Sequence, residues 1–151
     1  MVNAFLPEDY VRGEAQRIEI YKRIALIRNE QDETLLIDDL IDRFGEPEEP
    51  VINLIRIARL RALANELGID QVRLDRGDLV MRFNPQYAAD PLLLYQALSQ
   101  IGSRMSLQSG KRATSLIISL RGKDTEEALA AGIKALTLLI ETMKQLKTPV
   151  A

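Results

Sequence analysis

The chain has 151 residues, of which 46% are hydrophobic and 28% charged, a composition typical of one folded domain with its own core. It contains no cysteine and no histidine, which excludes disulfides, thiolate metal sites and the commonest general base. The net charge is only −2, no apolar run reaches the ~18 residues that span a membrane, and no signal-peptide pattern opens the chain, so a cytoplasmic location without membrane contact is expected.

The first half of the chain is predicted to be helical after a short extended segment. Residues 1–9 alternate in polarity and end near a proline, which predicts an edge strand or an extended lead-in. A helix is predicted over residues 10–28, and its apolar stripe is formed by Ile18, Tyr21, Ile24, Ala25 and Arg28. Two further helices are predicted over residues 32–44 and 49–67, because each carries an apolar stripe and is followed by a glycine.

The second half changes from helical to alternating periodicity at residue 69. Residues 69–83 are predicted to form a β-hairpin around a glycine-containing turn. An Asp-Pro pair opens a helix over residues 90–101, strands are predicted over 105–108 and 116–120, and an aspartate caps a long final helix. The fold class is therefore α+β, with N-terminal helices, a small and mostly antiparallel sheet covered by helices, and a long C-terminal helix.

The segment 30–49 is strongly acidic, with nine Asp or Glu residues and one Arg, which argues against nucleic-acid binding by the first half. Asp38, Asp39 and Asp42 share the polar side of the second predicted helix, and Arg43 lies in its last turn. Negative charge near a helix C-terminus is unfavourable, so helix stability does not explain these carboxylates. They form either a solvated face or a docking surface for a basic partner, since clustered carboxylates bind arginine bidentately.

Two other functions are left open by the residue types alone. One is nucleic-acid binding by the more basic second half, with candidate residues Arg104, Lys111, Arg112, Arg121 and Lys123. The other is a magnesium site on the three aspartates, for which the sequence offers no second carboxylate cluster and no activated nucleophile. Residues 109–112 match a phosphate loop only by chance, because the spacing differs and an arginine replaces the magnesium-binding Ser or Thr.

Several motifs of the first half resemble the C-terminal domain of bacterial transcription-repair coupling factors. The resemblance is carried by residues 4–69, whereas over residues 70–151 only the order of elements matches. The matching motifs occur in the expected order, and they are Pro7-Glu8-Asp9-Tyr10-Val11, Arg17-Ile18-Glu19-Ile20-Tyr21-Lys22-Arg23-Ile24-Ala25, Leu40-Ile41-Asp42-Arg43-Phe44-Gly45, Ile57-Ala58-Arg59-Leu60-Arg61 and Leu67-Gly68-Ile69.

The resemblance implies that residues 1–151 are a single C-terminal regulatory domain of a larger DNA translocase, non-enzymatic and without a cofactor. In that family the domain packs on the N-terminal UvrB-like module of the same protein. It masks the UvrA-binding surface until the motor, on double-stranded DNA, engages stalled RNA polymerase during nucleotide excision repair. The matching positions Asp39 and Asp42 are expected to face arginines of that module, although relatives often carry Glu in place of Asp39. Asp38 and Arg43 are further candidates on the same helix.

Overall fold

The computed structural model describes residues 3–86, 90–101, 105–110 and 112–147, and the chain falls into two units, residues 1–62 and 63–151. The first unit contains α1 (Glu14–Ala25), α2 (Glu30–Phe44) and most of α3 (Glu49–Glu66). Its core is formed by buried apolar side chains from these helices and from the segment that precedes them, namely Leu6, Val11, Ile20, Ile24, Ile27, Leu36, Leu40, Val51 and Ile55.

Helix α1 is shorter than predicted, and of the stripe predicted for it Ile24 is buried whereas Ile18 and Tyr21 are not. The helix begins after Gly13 because the residues before it form a separate turn, in which the amides of Tyr10 and Val11 donate to the carbonyl of Pro7. Ile18 and Tyr21 are 50% and 40% exposed, whereas the buried stripe consists of Ile20, Ile24 and Ile27. The predicted and the observed stripes share Ile24 and lie on adjacent sides of a short helix, so periodicity alone does not choose between them.

The segment before α1 is an extended lead-in and not an edge strand, since residues 3–7 have no strand partner. Its position is fixed by buried Leu6 and Val11 and by side chains that reach its backbone. The guanidinium of Arg17 donates to the carbonyl oxygens of Leu6, Pro7 and Val11 at 2.8, 3.1 and 3.0 Å. The amide of Asn53 donates to the carbonyl of Asn3 at 3.0 Å.

The second unit is a four-stranded antiparallel sheet with two helices. Its elements are β1 (Ile69–Asp75), β2 (Asp78–Phe83), α4 (Pro91–Ile101), β3 (Met105–Ser109), β4 (Thr114–Ser119) and α5 (Thr125–Lys147), and the strand order is β1-β2-β4-β3. Met81 pairs with Leu116, and Leu79 pairs with Ile118, so these buried residues share one face of the sheet. Helices α4 and α5 pack against each other and add buried leucines, which confirms the α+β prediction.

Element ends follow the local chemistry that the sequence indicated. Arg76 and Gly77 both have positive φ, at 53° and 84°, which is the geometry of a type I′ turn between two strands. Asp124 accepts a hydrogen bond from the amide of Glu127 at 2.8 Å and so caps α5. Gly45 ends α2 with φ 89° and ψ −177°, a backbone conformation that is essentially restricted to glycine.

Candidate protein-interaction site

Helix α2 holds its acidic side away from the core. Asn29 caps the helix by accepting a hydrogen bond from the amide of Asp32 at 2.8 Å. Leu36 and Leu40 are 2% and 0% exposed, and they lie on the side of the helix that packs into the first unit. Because residues two positions from a buried one point away from it, Asp38 and Asp42 are exposed. We call Asp38, Asp39 and Asp42 the acidic face.

Asp39 belongs to an ion-pair cluster that joins α2 to α1. Its Oδ2 accepts hydrogen bonds from Nη1 of Arg23 and, at 3.3 Å, from Nη1 of Arg43. Arg43 also donates to Glu19, with Nη1 at 2.9 Å from Oε1. The ion-pair cluster of Glu19, Arg23, Asp39 and Arg43 thus contains two carboxylates and two guanidinium groups and fixes the orientation of the acidic face.

The ion pairs favour the charged forms of the carboxyl groups. The hydrogen bond from Arg23 lowers the pKa of Asp39, and the hydrogen bond from Arg43 adds to this effect. Likewise, the hydrogen bond from Arg43 lowers the pKa of Glu19. Partial desolvation opposes both shifts but is the smaller effect. Both acids are therefore ionised at neutral pH, and the ion-pair cluster persists until the medium becomes acidic.

Replacing Asp39 with Asn is expected to lower the free energy of unfolding at neutral pH. In acid the variant and the wild-type chain are expected to be equally stable. Because the folded-state pKa lies below the unfolded one, the stabilisation is present above the unfolded pKa, near pH 4, and disappears as pH falls through the lowered value. Urea unfolding followed by circular dichroism, between about pH 7 and pH 2, measures the difference.

Asp42→Asn is the matched control, because Asp42 lies outside the ion-pair cluster on the same helix. This variant is expected to be no less stable than the wild-type chain at any pH. A deficit for Asp39→Asn that stayed constant down to pH ~2 would show that the ion pairs of Asp39 do not stabilise the fold.

The last turn of α2 is further fixed by aromatic contacts. The guanidinium carbon of Arg43 lies 4.9 Å from the ring centroid of Phe44, and the rings of Phe44 and Tyr10 are 5.8 Å apart. The hydroxyl of Tyr10 donates to the carbonyl of Gly45 at 2.8 Å. Partial burial and the nearby carboxylate of Glu46 raise the pKa of Tyr10, so the hydroxyl remains a donor at neutral pH.

The predicted site residues therefore divide into two groups. Asp39 and Arg43 have partners within the first unit, which the sequence did not indicate because those partners are 16 and 24 residues away. Asp38 and Asp42 are exposed and form no ion pair with any described residue. Oδ1 of Asp39 also accepts no hydrogen bond within the described ranges, so that oxygen is open to a further donor.

The three candidate basic residues of the second half that the structure describes, Arg112, Arg121 and Lys123, do not all lie together. Arg104 and Lys111 lie outside the described residues. Arg112 precedes β4 and Arg121 follows it, so the six-residue strand separates them by about 20 Å. Lys123 lies on the Arg121 side, and Arg121 itself is 3.9 Å from a carboxylate oxygen of Asp78. This placement does not favour a continuous nucleic-acid track.

Helix α3 carries three arginines, which differ in exposure. Arg59 is 7% exposed, and its Nε donates to Oε2 of Glu33 on α2 at 3.1 Å. Arg56 also has an interaction partner, and Arg61 is exposed. Arg59 is therefore a buried structural residue that nucleic acid cannot reach.

The acidic face does not have the arrangement of a metal site. Across residues 3–86, 90–101, 105–110 and 112–147, no group of three Asp, Glu, His or Cys side chains is placed to hold a metal ion. Oδ2 of Asp39 accepts hydrogen bonds from the guanidinium groups of Arg23 and Arg43, so this oxygen is not free to bind a metal ion. Residues 109–112, which superficially match a phosphate loop, lie partly outside the described residues. No described helix is long and apolar enough to span a membrane.

A protein-family model described as the TRCF domain matches residues 1–94, more than half of the chain. The chain belongs to the TRCF domain family. This match covers the acidic face, the ion-pair cluster and the lead-in, so the site described above lies entirely within the part that defines the family. The predicted family is therefore confirmed.

Individual relatives of this TRCF domain are transcription-repair-coupling factors. That of Bacillus subtilis (strain 168) is 24% identical over 146 residues, which is 95% of this chain and 12% of the relative. That of Escherichia coli (strain K12) is 33% identical over 97 residues, 64% of this chain and 8% of the relative. That of Haemophilus influenzae is 40% identical over 76 residues, 50% of this chain and 6% of the relative. The chain thus spans a small part of these proteins.

A solved structure supports the same assignment over nearly the whole TRCF domain. The crystal structure of the C-terminal domain of transcription-repair coupling factor superposes with a TM-score of 0.82 at 25% identity. The superposition covers 98% of this chain and 92% of that chain. The order of elements in the second half, which carried little sequence signal, is thereby matched to a known fold.

Proposed function

We propose that this TRCF domain is a non-catalytic, autoinhibitory interaction domain of a larger transcription-repair coupling factor. The observation that carries the proposal is the acidic face, which α2 presents with two exposed carboxylates that have no ion pair within the described residues. Helix stability alone does not favour carboxylates near a helix C-terminus. A basic partner explains them, since arginines bind carboxylates with charge-assisted and often bidentate hydrogen bonds.

In this proposal residues 1–151 act as one regulatory domain that packs on the N-terminal UvrB-like module of the same protein. The contact masks the UvrA-binding surface of that module. It opens when the motor of the parent protein, an ATP-dependent translocase on double-stranded DNA, engages stalled RNA polymerase in the cytoplasm. Exposed ion pairs contribute only about 0.2–1 kcal/mol each, so a latch made from a few of them is reversible.

The roles of the candidate residues follow from their surroundings. Asp42 and Asp38 are proposed to contact arginines of the N-terminal module directly. Asp39 is proposed to contribute its open Oδ1, while Oδ2 remains bound to Arg23 and Arg43. Arg43 is proposed to position Asp39 and not to contact the partner, because Glu19, Asp39 and the ring of Phe44 surround its guanidinium group.

Replacing both Asp38 and Asp42 with Arg in the parent protein is expected to raise its affinity for UvrA by about tenfold or more and to increase basal ATP turnover. The reversed charges repel the basic partner surface, and loss of ~1.4 kcal/mol from the closed state corresponds to a factor of ten. Asp39→Arg is a poorer variant, because it would place a third guanidinium beside Arg23 and Arg43.

UvrA binding is measured by titration at constant salt, with Glu8→Arg plus Glu66→Arg as the control of equal charge change. Glu8 and Glu66 are exposed, and neither lies on α2. Unchanged UvrA affinity in the Asp38 and Asp42 double variant, with an intact fold by circular dichroism, would refute the proposed masking by the acidic face.

A further inference from the structure

An open cavity of about 250 Å³ lies between the end of α1 and the first half of α2. It is lined by four apolar and three charged residues, which are Leu26, Ile27, Leu35, Leu36, Arg23, Arg28 and Asp32. Ile27 and Leu36 are buried and form its floor, whereas Leu26 and Leu35 are 72% and 57% exposed at its sides. We call this feature the leucine pocket.

The core of the first unit does not require Leu26 and Leu35. The neighbouring residues Ile27 and Leu36, at 5% and 2% exposure, already fill the core at this end of the helices. Two large aliphatic side chains at the sides of one cavity leave apolar surface in water, which an apolar side chain of a partner would cover. The leucine pocket therefore has the shape and the apolar sides to receive one side chain of a partner.

The leucine pocket is continuous with the acidic face along α2. Leu35 precedes Asp38 by three residues and Asp42 by seven, and these are the spacings of one helix face. At 1.5 Å per residue the two aspartates lie about 5 and 10 Å further along the helix axis. The cations lining the pocket are already paired, since Arg23 contacts Asp39 and Arg28 lies 3.3 Å from Asp32. Among the charges that line the pocket or follow Leu35 on its helix face, those without an ion pair in the described residues are the carboxylates of Asp38 and Asp42.

We propose that the leucine pocket receives an aliphatic or aromatic side chain from a basic partner surface whose cations bind Asp38 and Asp42. This inference rests on the proposed function, and it defines the chemistry of the partner surface: one apolar anchor with positive charges about 5 and 10 Å away. The ion pairs orient the partner and make the affinity depend on salt. The apolar anchor adds affinity through buried contact, which salt does not screen.

The test uses the intact parent protein with Leu26→Ser and Leu35→Ser, and UvrA as the probe of unmasking. The double variant is expected to bind UvrA about tenfold more tightly than the wild type, and this gain is expected to be the same at low and moderate salt. The gain of the Asp38→Arg plus Asp42→Arg variant is expected to shrink as salt rises. Leu92→Ser is the matched control, since Leu92 is 65% exposed on α4 and does not line the pocket.

The outcomes separate the two proposals. If the aspartate variant unmasks UvrA binding and the leucine variant does not, the leucine pocket is not part of the interface and the proposed function stands. If neither variant unmasks it, both proposals fail. If sedimentation shows that the 151-residue chain dimerises and that Leu26→Ser plus Leu35→Ser makes it monomeric, a second copy occupies the pocket and the proposal of a basic partner is overturned.

Discussion

Replacing Glu33 with Ala is expected to lower the free energy of unfolding by about 3 kcal/mol. Glu33 is the ion-pair partner of Arg59, whose side chain is 8% exposed, and the Nε–Oε2 distance is 3.1 Å. Removal of the carboxylate leaves a largely buried guanidinium group without its ion-pair partner. The cost is the desolvation of an unpaired charge and not only the loss of one hydrogen bond.

The same reasoning predicts that replacing both Glu33 and Arg59 lowers the free energy of unfolding much less than replacing Glu33 alone. Glu33→Leu with Arg59→Leu is expected to recover most of the stability, because a buried ion pair and an apolar pair of similar size are often nearly equivalent. Arg28→Ala is the control for loss of an exposed pair, since the side chain of Arg28 is 82% exposed, and its effect is expected to stay below about 1 kcal/mol.

Urea unfolding by circular dichroism gives the free energies, and amide hydrogen exchange in α2 and α3 assigns them to the first unit. A loss below about 1 kcal/mol for Glu33→Ala would show that Arg59 finds water or another acceptor. A double leucine variant as unstable as Glu33→Ala would show that the pair itself, and not the isolated charge, contributes the stability.

Features of this fold that depend on neighbouring residues in the chain were predicted from the sequence, whereas features that depend on residues distant in the chain were not. Helix α2 was predicted well, because its apolar stripe and its terminal glycine lie within one short segment. The stripe of α1 was predicted correctly at Ile24 but not at Ile18 and Tyr21, because the burial of α1 depends on residues that pack against it from elsewhere in the unit. Tyr21 is an example: it is 40% exposed, and its hydroxyl accepts a hydrogen bond from the amide of Leu6 at 3.3 Å, 15 residues away in the chain.

The candidate site shows the same division. The exposure of Asp38 and Asp42 follows from helical spacing around buried Leu40. The ion pair between Asp39 and Arg23 does not follow from spacing, because it requires two helices to be placed side by side. The sequence signal that was available is weaker: Glu19 and Arg23 are four residues apart on α1, as Asp39 and Arg43 are on α2. Complementary i,i+4 pairs on adjacent helices indicate a possible four-charge cluster.

Replacing Arg17 with Gln is expected to destabilise the first unit by about 3 kcal/mol. Arg17 donates to the carbonyl oxygens of Leu6, Pro7 and Val11, and hydrogen bonds from a charged donor contribute about 1.5–3 kcal/mol each without being additive. Arg17→Lys is expected to be intermediate, because an ammonium group cannot reproduce the planar fork that reaches three carbonyls. Arg12→Gln is the control, since Arg12 is exposed on the same segment.

The loss is expected to reach the acidic face through Tyr10. The lead-in that Arg17 holds also places the hydroxyl of Tyr10 on the carbonyl of Gly45 and its ring against Phe44. When the lead-in loosens, the last turn of α2 loses both contacts. Amide hydrogen exchange of Arg17→Gln should therefore be faster at Gly45, whose amide donates to Ile41 at 3.0 Å, as well as within the lead-in. Faster exchange in the lead-in alone would show that the turn bearing Asp42 is held by α2 itself and that the two segments are not coupled.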